Sequence, residues 1–269
     1  MDRVVIGVVV LSLAIAGAAS CQTADPNAAN AGGQVQAKAS DANEVDRAIQ
    51  NLQDKAAQLK SYQAKVDYVT RQPLLDSTAR REGVLYYAKT DGRSSLRIDF
   101  LTLQQDEEPE QRYVEQYLFD GVWLTIVNHQ TRRVERRQMT EPNKPVDAFS
   151  LASRHMPVLG FSKMEDLRKQ FDVTIAPEPN SVGAFEHLHL TVRPDSPYKD
   201  DYTQIDFWVD RTIGLPAKIH AVTTEEDVHE IRLVDPQVNA GVDPKIFQID
   251  IPKGFTLEVI PLEKKTPQG

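Results

Sequence analysis

Two histidines lie two residues apart, a spacing that could serve metal chemistry. On a strand, His187 and His189 would point to one face, and His220 or His229 could supply a third ligand. Leu188 alternates with them, the pattern of a half-buried strand whose polar side faces solvent. We therefore expect the histidines to lie in solvent, and we predict neither a metal site nor a cofactor.

The acidic and hydroxyl side chains lack the setting that catalysis needs. The acidic runs 107–110 and 225–227 are expected in hairpin loops, away from the buried surroundings of a general acid. The sequence has no Gly-x-Ser-x-Gly turn and no glycine pattern for dinucleotides or phosphates. We expect a binding protein, not an enzyme, and predict no catalytic residue.

Charge narrows the choice of partner. With 31 basic and 39 acidic residues among 269, the net charge is −8, which counts against nucleic acid. The only basic run, at 132–137, could contact an anionic lipid headgroup or an acidic partner. We favour a solvated strand whose charges discourage pairing at its edge.

The first 20 residues have the features of a signal peptide. A charged start, residues 1–3, precedes an apolar run at 4–16, and small residues follow up to Ser20. As a helix the run would span about 20 Å, too short for a hydrocarbon core of about 30 Å, which disfavours an uncleaved membrane anchor. We predict export of the mature chain.

Cys21 is the only cysteine, so no intramolecular disulfide can form. It follows Ala18-Ala19-Ser20 directly, which resembles the lipobox of bacterial lipoproteins, although leucine is usual where Ala18 stands. The resemblance implies a chain lipidated at Cys21, held to the outer membrane by that lipid and facing the periplasm. A conventional cut after Ala18 or Ser20 is the alternative. Residues 21–42, rich in Ala, Gln and Asn, are expected to be a flexible tether.

Beyond the tether, the hydrophobic period changes from helical to alternating. Asp41 as N-cap and Glu44 three residues later predict a helix whose apolar stripe continues to Leu59. Short helical pieces are predicted at 148–155 and 162–171. Ten to twelve strands without a repeated βαβ spacing predict one antiparallel sheet in a single domain over residues 43–262, followed by a tail at 263–269. The predicted strands are 62–68, 84–88, 96–100, 113–119, 122–127, 133–138, 172–175, 187–192, 203–209, 217–222, 228–234 and 247–251.

The order of short motifs resembles the outer-membrane lipoprotein carrier and lipoprotein-sorting (LolA-like) family of the bacterial envelope. The similarity covers about residues 41–259. It is carried by the segments Leu59-Lys60-Ser61-Tyr62-Gln63-Ala64, Glu82-Gly83-x-Leu85, Leu96-Arg97-Ile98-Asp99, Asp120-Gly121-x-Trp123-Leu124, Leu188-x-Leu190-x-Val192-x-Pro194 and Phe247-x-Ile249-x-Ile251-Pro252-x-Gly254.

The resemblance implies a mainly β fold. Its single antiparallel sheet would be curved and incompletely closed, a half-barrel, with an N-terminal helix and short helices covering the concave face. In that family the concave face holds lipoprotein acyl chains. The alternating apolar residues of this chain could instead be a core that the helices fill completely, or part of the concavity could be a ligand cavity. We expect the cavity.

The expected ligand site combines sheet residues with a cover. The sheet residues are Leu96, Ile98, Phe100, Leu118, Ile205, Phe207 and Val209. The cover is the segment 149–161, interrupted by Pro157 and Gly160, which would contact the ligand through Leu151, Met156, Leu159 and Phe161. The Arg-Pro pair that the enterobacterial carrier has near residues 88–91 is missing, so Arg97 is a candidate polar gate, with Arg93 as an alternative.

Lipoprotein acyl chains, or another lipid, are therefore the expected ligand of a monomeric protein. Carriers of this family are normally soluble, whereas Cys21 suggests a tethered form. The alternative is a binding module that senses envelope lipids or regulates a partner without transporting lipid.

Overall fold

The structure, a computed structural model, describes residues 34–90, 92–148, 164–177 and 184–262. Two α-helices and twelve strands are found there, with short 3₁₀ turns at Pro73–Leu75 and Pro244–Phe247. In chain order the elements are α1 (Gln34–Ala57), β1 (Ser61–Gln72), β2 (Ser77–Thr90), β3 (Arg93–Gln105), β4 (Gln111–Phe119), β5 (Trp123–Asn128), β6 (Arg133–Gln138), α2 (Met164–Gln170), β7 (Phe171–Ile175), β8 (Phe185–Val192), β9 (Tyr202–Asp210), β10 (Leu215–Thr223), β11 (Val228–Val238) and β12 (Thr256–Ile260).

The twelve strands form one sheet in the order β12-β6-β5-β4-β3-β2-β1-β11-β10-β9-β8-β7. Strands β1 to β6 pair in sequence, as do β7 to β11, and pairing of β1 with β11 joins the two halves. The edge strands β7 and β12 do not pair with each other, so over the described ranges the sheet is open. The predicted fold class, a mainly β protein with one open curved sheet, is confirmed.

One helix and one sheet face form the core. The stripe of α1, with Val45, Ala48, Ile49 and Leu52, is buried against strand residues such as Phe207. We call this side of the sheet the inner face and the opposite side the outer face. Because side chains alternate along a strand, each strand contributes every second residue to the inner face.

Helix α1 begins earlier than predicted. Asp41 was expected as its N-cap, yet the helix starts at Gln34, so residues 34–42 of the expected tether are helical. These nine residues, QVQAKASDA, contain neither glycine nor proline, and they include alanine, glutamine and lysine, which favour helix. The signal peptide, Cys21 and the rest of the expected tether lie outside the described residues.

The end of the sheet also differs from prediction. The expected strand at 247–251 is wrong, because a 3₁₀ turn occupies Pro244–Phe247 and the next strand, β12, begins at Thr256. The amide of Lys245 donates to Asp243 Oδ1 over 3.0 Å, which stabilises this turn instead of a ladder. Strand β12 then pairs parallel to β6, so the sheet is not wholly antiparallel. The arginine-rich strand β6 was expected to discourage pairing at its edge, but it pairs on both sides.

Gly83 explains one of the sequence motifs in physical terms. It lies opposite Phe100 on β3, next to an irregularity in the β2–β3 register. A Cβ at this position would stand 2.0 Å from the carbonyl oxygen of Asp99, far inside van der Waals contact. Strand β3 can approach β2 here only because residue 83 has no side chain.

Replacing Gly83 with alanine should therefore destabilise the protein. We expect Gly83→Ala to lower the free energy of unfolding by about 1–3 kcal/mol, since β2 and β3 must move apart. Urea unfolding measures the loss. The control Lys89→Ala, at an exposed position of β2, should change stability by less than about 0.5 kcal/mol. Equal stability of the two variants would contradict the close approach.

Candidate ligand-binding site

The inner face contains an apolar cavity of about 50 Å³ near the end of α1. It spans five adjacent strands of the sheet, from β10 through β11, β1 and β2 to β3. Among the described residues, no charged side chain lines it. The lining residues are Leu59, Tyr62, Leu85, Tyr87, Leu96, Leu215, Pro216, Ile219, Ile231 and Leu233.

Sheet register places these side chains side by side. Tyr62 of β1 lies opposite Tyr87 of β2, and Tyr87 lies opposite Leu96 of β3. On the other side, Ile231 of β11 lies opposite Ile219 of β10. The cavity is therefore built from residues far apart in sequence that share one face.

The two phenols of the cavity differ in their hydrogen bonds. The Tyr87 hydroxyl donates to Asp147 Oδ2 over 3.3 Å, and Ser94 Oγ donates to the same oxygen over 2.7 Å. The Tyr62 hydroxyl is buried and has no hydrogen-bond partner among the described residues. Burial raises the pKa of both phenols, and the charge of Asp147 adds to the effect for Tyr87. Both phenols are therefore neutral.

Three of the predicted site residues lie along the inner face of β3. Leu96 lines the cavity. Ile98 and Phe100 continue the row, and the Phe100 ring packs 5.9 Å from Tyr68 and 6.2 Å from Tyr117. The inner face of β3 thus extends the apolar surface beyond the cavity.

Three other predicted residues are on the inner face but belong to the filled core. Ile205, Phe207 and Val209 of β9 are only 0%, 1% and 2% exposed. None of them lines the cavity. A closely packed core and an apolar cavity thus both occur on the inner face, and whether the cavity holds a ligand stays a prediction.

Leu118 and Arg97 lie on the outer face, which corrects their expected place in the concave site. Tyr117 and Phe119 of β4 pair with inner-face residues of β3, so Leu118, which is opposite Arg97, must point outward. The Arg97 guanidinium bonds to Asp99 over 2.8 Å and donates to the backbone carbonyls of Ile246 and Gln248. Arg97 thereby attaches the C-terminal crossing, the segment between β11 and β12, to the outer face of the sheet. It is not a gate of the inner face.

The expected cover, segment 149–161 with Leu151, Met156, Leu159 and Phe161, lies outside the described residues. Cys21 does as well. Their assigned roles remain predictions.

An ion pair on the inner face was not predicted from the sequence. Arg81 of β2 lies 2.5 Å from Glu115 of β4, and both side chains are largely buried, at 12% and 13% exposure. The guanidinium is also 5.2 Å from the Tyr113 ring and 5.8 Å from that of Phe100. Arg81 lies outside the predicted strand 84–88, which the structure extends to Ser77–Thr90, so the sequence pattern did not indicate its face.

Asp206, a buried residue of β9, contacts three of the histidines, which were expected to lie in solvent. Its Oδ1 is 2.8 Å from His187 Nε2 and 2.7 Å from His189 Nδ1, and its Oδ2 is 3.7 Å from His220 Nδ1. Burial alone would raise the pKa of Asp206, but its bonds to His220, His189 and His187 hold it well below the usual range. Within the described ranges, no group of His, Cys, Asp or Glu could hold a metal ion.

No family model and no curated protein matches this chain. Its fold is similar to several solved structures. The complex of Pseudomonas aeruginosa MucA/MucB is 14% identical, with a TM-score of 0.45, over 77% of this chain and 61% of that chain. An uncharacterized conserved protein from Thermus thermophilus is 10% identical, with a TM-score of 0.49, over 80% and 99%. A LolA superfamily protein from Nitrosomonas europaea is 13% identical, with a TM-score of 0.33, over 74% and 97%.

The LolA-like family expected from the motifs is thus among the solved structures of similar fold. This chain spans only 61% of the MucA/MucB chain that it matches. Among the helices described, none has the length and apolar character needed to cross a membrane.

His229 makes the stability of the inner face dependent on pH. Its Nδ1 is 2.8 Å from the Tyr68 hydroxyl, which we assign as the donor to the neutral ring. Burial lowers the pKa of His229 below its ordinary 6.5, although the charge of Asp227 acts in the opposite direction. Above about pH 7 the ring is largely neutral in both the folded and the unfolded state. As the pH falls below 6.5, the unfolded chain binds a proton that the folded protein resists, so stability is lost.

Replacing His229 with a residue that does not titrate should remove this loss. Glutamine keeps an acceptor for Tyr68. We expect the unfolding free energy of the wild type, relative to His229→Gln, to decrease between about pH 7 and pH 5 and to be constant between about pH 7 and pH 8. Urea unfolding at each pH measures the difference. A difference independent of pH would contradict the burial of a neutral His229.

Proposed function

We propose that the protein binds lipid acyl chains in the inner-face cavity, and that its role is the sorting of lipoproteins to the outer membrane. The observation that carries the proposal is the cavity itself. Its described lining has no charged side chain and consists of apolar and aromatic residues from five adjacent strands. An apolar site with few polar groups suits an apolar ligand.

A bound acyl chain would need more apolar surface than the cavity alone provides. Each methylene removed from water contributes about 0.8 kcal/mol, so a chain of 14–16 carbons gains on the order of 10 kcal/mol before ordering costs. A cavity of about 50 Å³ admits only a few groups. The rest of the chain would follow the inner face of β3 past Ile98 and Phe100 by displacing neighbouring side chains.

Filling the cavity tests the proposal. Leu233 lines the cavity and is only partly buried, so tryptophan can be accommodated there at modest cost. We expect Leu233→Trp to weaken binding of a palmitoylated peptide about tenfold or more, the effect of excluding two methylenes. Fluorescence titration with a labelled peptide measures the affinity.

The next residue along β11 provides the matched control. Val234 faces outward and is 44% exposed, so Val234→Trp makes the same change on the opposite face and should leave the affinity unchanged. Equal affinity of both variants would contradict binding in the cavity, and absence of binding by the wild type would contradict the proposed function.

We also propose that Cys21 carries the lipid that attaches the mature protein to the membrane. The support is the sequence alone, with a signal-like segment followed by three small residues and the only cysteine. Metabolic labelling with palmitate should mark the wild type and Ser20→Ala, which keeps a small residue before the cysteine. Cys21→Ala should lose the label completely. Equal labelling of Cys21→Ala and the wild type would contradict the proposal.

A further inference from the structure

The turn between β1 and β2 presents the two most exposed large apolar side chains of the described residues. Leu74 and Leu75 are 74% and 56% exposed, and no residue of the turn Pro73–Leu75 is buried. The turn itself does not need leucine, because Pro73 begins it and Asp76 ends it in the left-handed region, at a φ of 48°. Tips of this kind are usually built from polar residues, glycine or proline. Two adjacent exposed leucines there point to contact with a partner.

Hydrogen bonds join this tip to an acidic loop on each side. The Thr78 amide donates to Asp106 Oδ1 over 2.7 Å, at the start of the β3–β4 loop. Gln72 Nε2 donates to Asp227 Oδ2 over 3.0 Å, in the β10–β11 loop. The three hairpins are neighbours in the sheet, and because adjacent strands are about 4.8 Å apart, each neighbouring loop is centred about 10 Å from the tip.

The charge of these loops has a single sign. Residues 73–76, 106–110 and 224–227 together contain eight carboxylates and no lysine, arginine or histidine. All the acidic residues except Asp227 are exposed. The leucines therefore form an apolar centre between two negative borders.

This arrangement restricts the partner. The acidic loops would be repelled by an anionic lipid surface, and insertion of the leucines into any bilayer would take carboxylates out of water. A protein helix with an apolar stripe and basic residues on both sides of it is complementary to the leucines and to the loops together. Such a helix is about 10–12 Å wide, which matches the spacing of the loops.

We propose that the β1–β2 tip docks a basic amphipathic helix of a partner protein. Leu74 and Leu75 contact its apolar stripe, and the loops at 106–110 and 224–227 bind the basic residues that border the stripe. This surface lies ten residues along β1 from Tyr62 of the cavity, a distance of about 30 Å. It is separate from the candidate lipid site, so the inference does not depend on the proposed function.

A model peptide tests the proposal on the full chain. The peptide has about 18 residues, enough to form a helix, with leucine along one stripe and lysine on both sides of it. One control peptide has glutamate in place of lysine, and the other has serine in place of leucine. We expect the leucine–lysine peptide to bind about tenfold or more tightly than either control, and less tightly at high salt. Fluorescence anisotropy of the labelled peptides measures the affinities.

Variants of exposed residues locate the binding surface while leaving the core unchanged. Leu74→Ser should weaken binding of the leucine–lysine peptide about tenfold, the effect of removing one leucine from an interface. Leu257→Ser makes the same change on β12, where the residue is 45% exposed, and should keep the wild-type affinity. Glu107→Gln combined with Glu108→Gln should weaken binding about three- to tenfold and reduce its dependence on salt. Glu258→Gln, at an exposed position of β12, is the control for the loss of charge.

Several outcomes would overturn the proposal. They are a wild type that does not prefer the leucine–lysine peptide, and equal affinity of Leu74→Ser and Leu257→Ser. Binding to phosphatidylglycerol vesicles that is stronger than peptide binding and is lost in Leu74→Ser would make the tip a membrane contact instead. Leu233→Trp, which fills the cavity, should bind the peptide as the wild type does. Loss of peptide binding in that variant would indicate the cavity as the peptide site, and it too would overturn the proposal.

Discussion

One long helix can cover only part of a twelve-stranded sheet. Helix α1 contacts β7 and β10, and inner-face side chains of the two strands between them, such as Phe207 and Leu190, are almost completely buried. The apolar cavity begins at β10 and continues on the same face across β11, β1 and β2 to β3. The candidate site is continuous with the core, because lining residues such as Ile219 and Tyr87 are only 1% and 4% exposed.

The inner face also contains charged groups. Arg81 and Glu115 form an ion pair on the inner face, where Tyr113 and Phe100 surround the guanidinium. Removing one partner of such a pair leaves an uncompensated charge, which is costly, so the two residues depend on each other. The described cavity lining itself is uncharged, which means that charge and apolar lining occupy separate regions of one face.

Local patterns in the sequence predicted most of the fold. Eleven of the predicted strands overlap strands of the structure, because alternation is a property of each strand alone. The path of the C-terminal segment depends on long-range contacts, such as those of Arg97 with the carbonyls of Ile246 and Gln248. Local sequence patterns do not reveal such contacts. The site was predicted only in part. Leu96 lies on the predicted face, whereas Leu118 lies on the outer face because its neighbour Tyr117 faces inward.

The C-terminal crossing shows why the sheet stays open. After β11 the chain passes the outer face of β3, where Arg97 holds it, and then pairs with β6 as the parallel strand β12. A strand added beyond β6 extends one edge of the sheet, while the other edge, β7, remains at the far end of the order. Closing a barrel requires its first and last strands to pair, and β12 instead satisfies the free edge of β6. The two ends of the strand order, β7 and β12, therefore remain the edges of the sheet over the described residues.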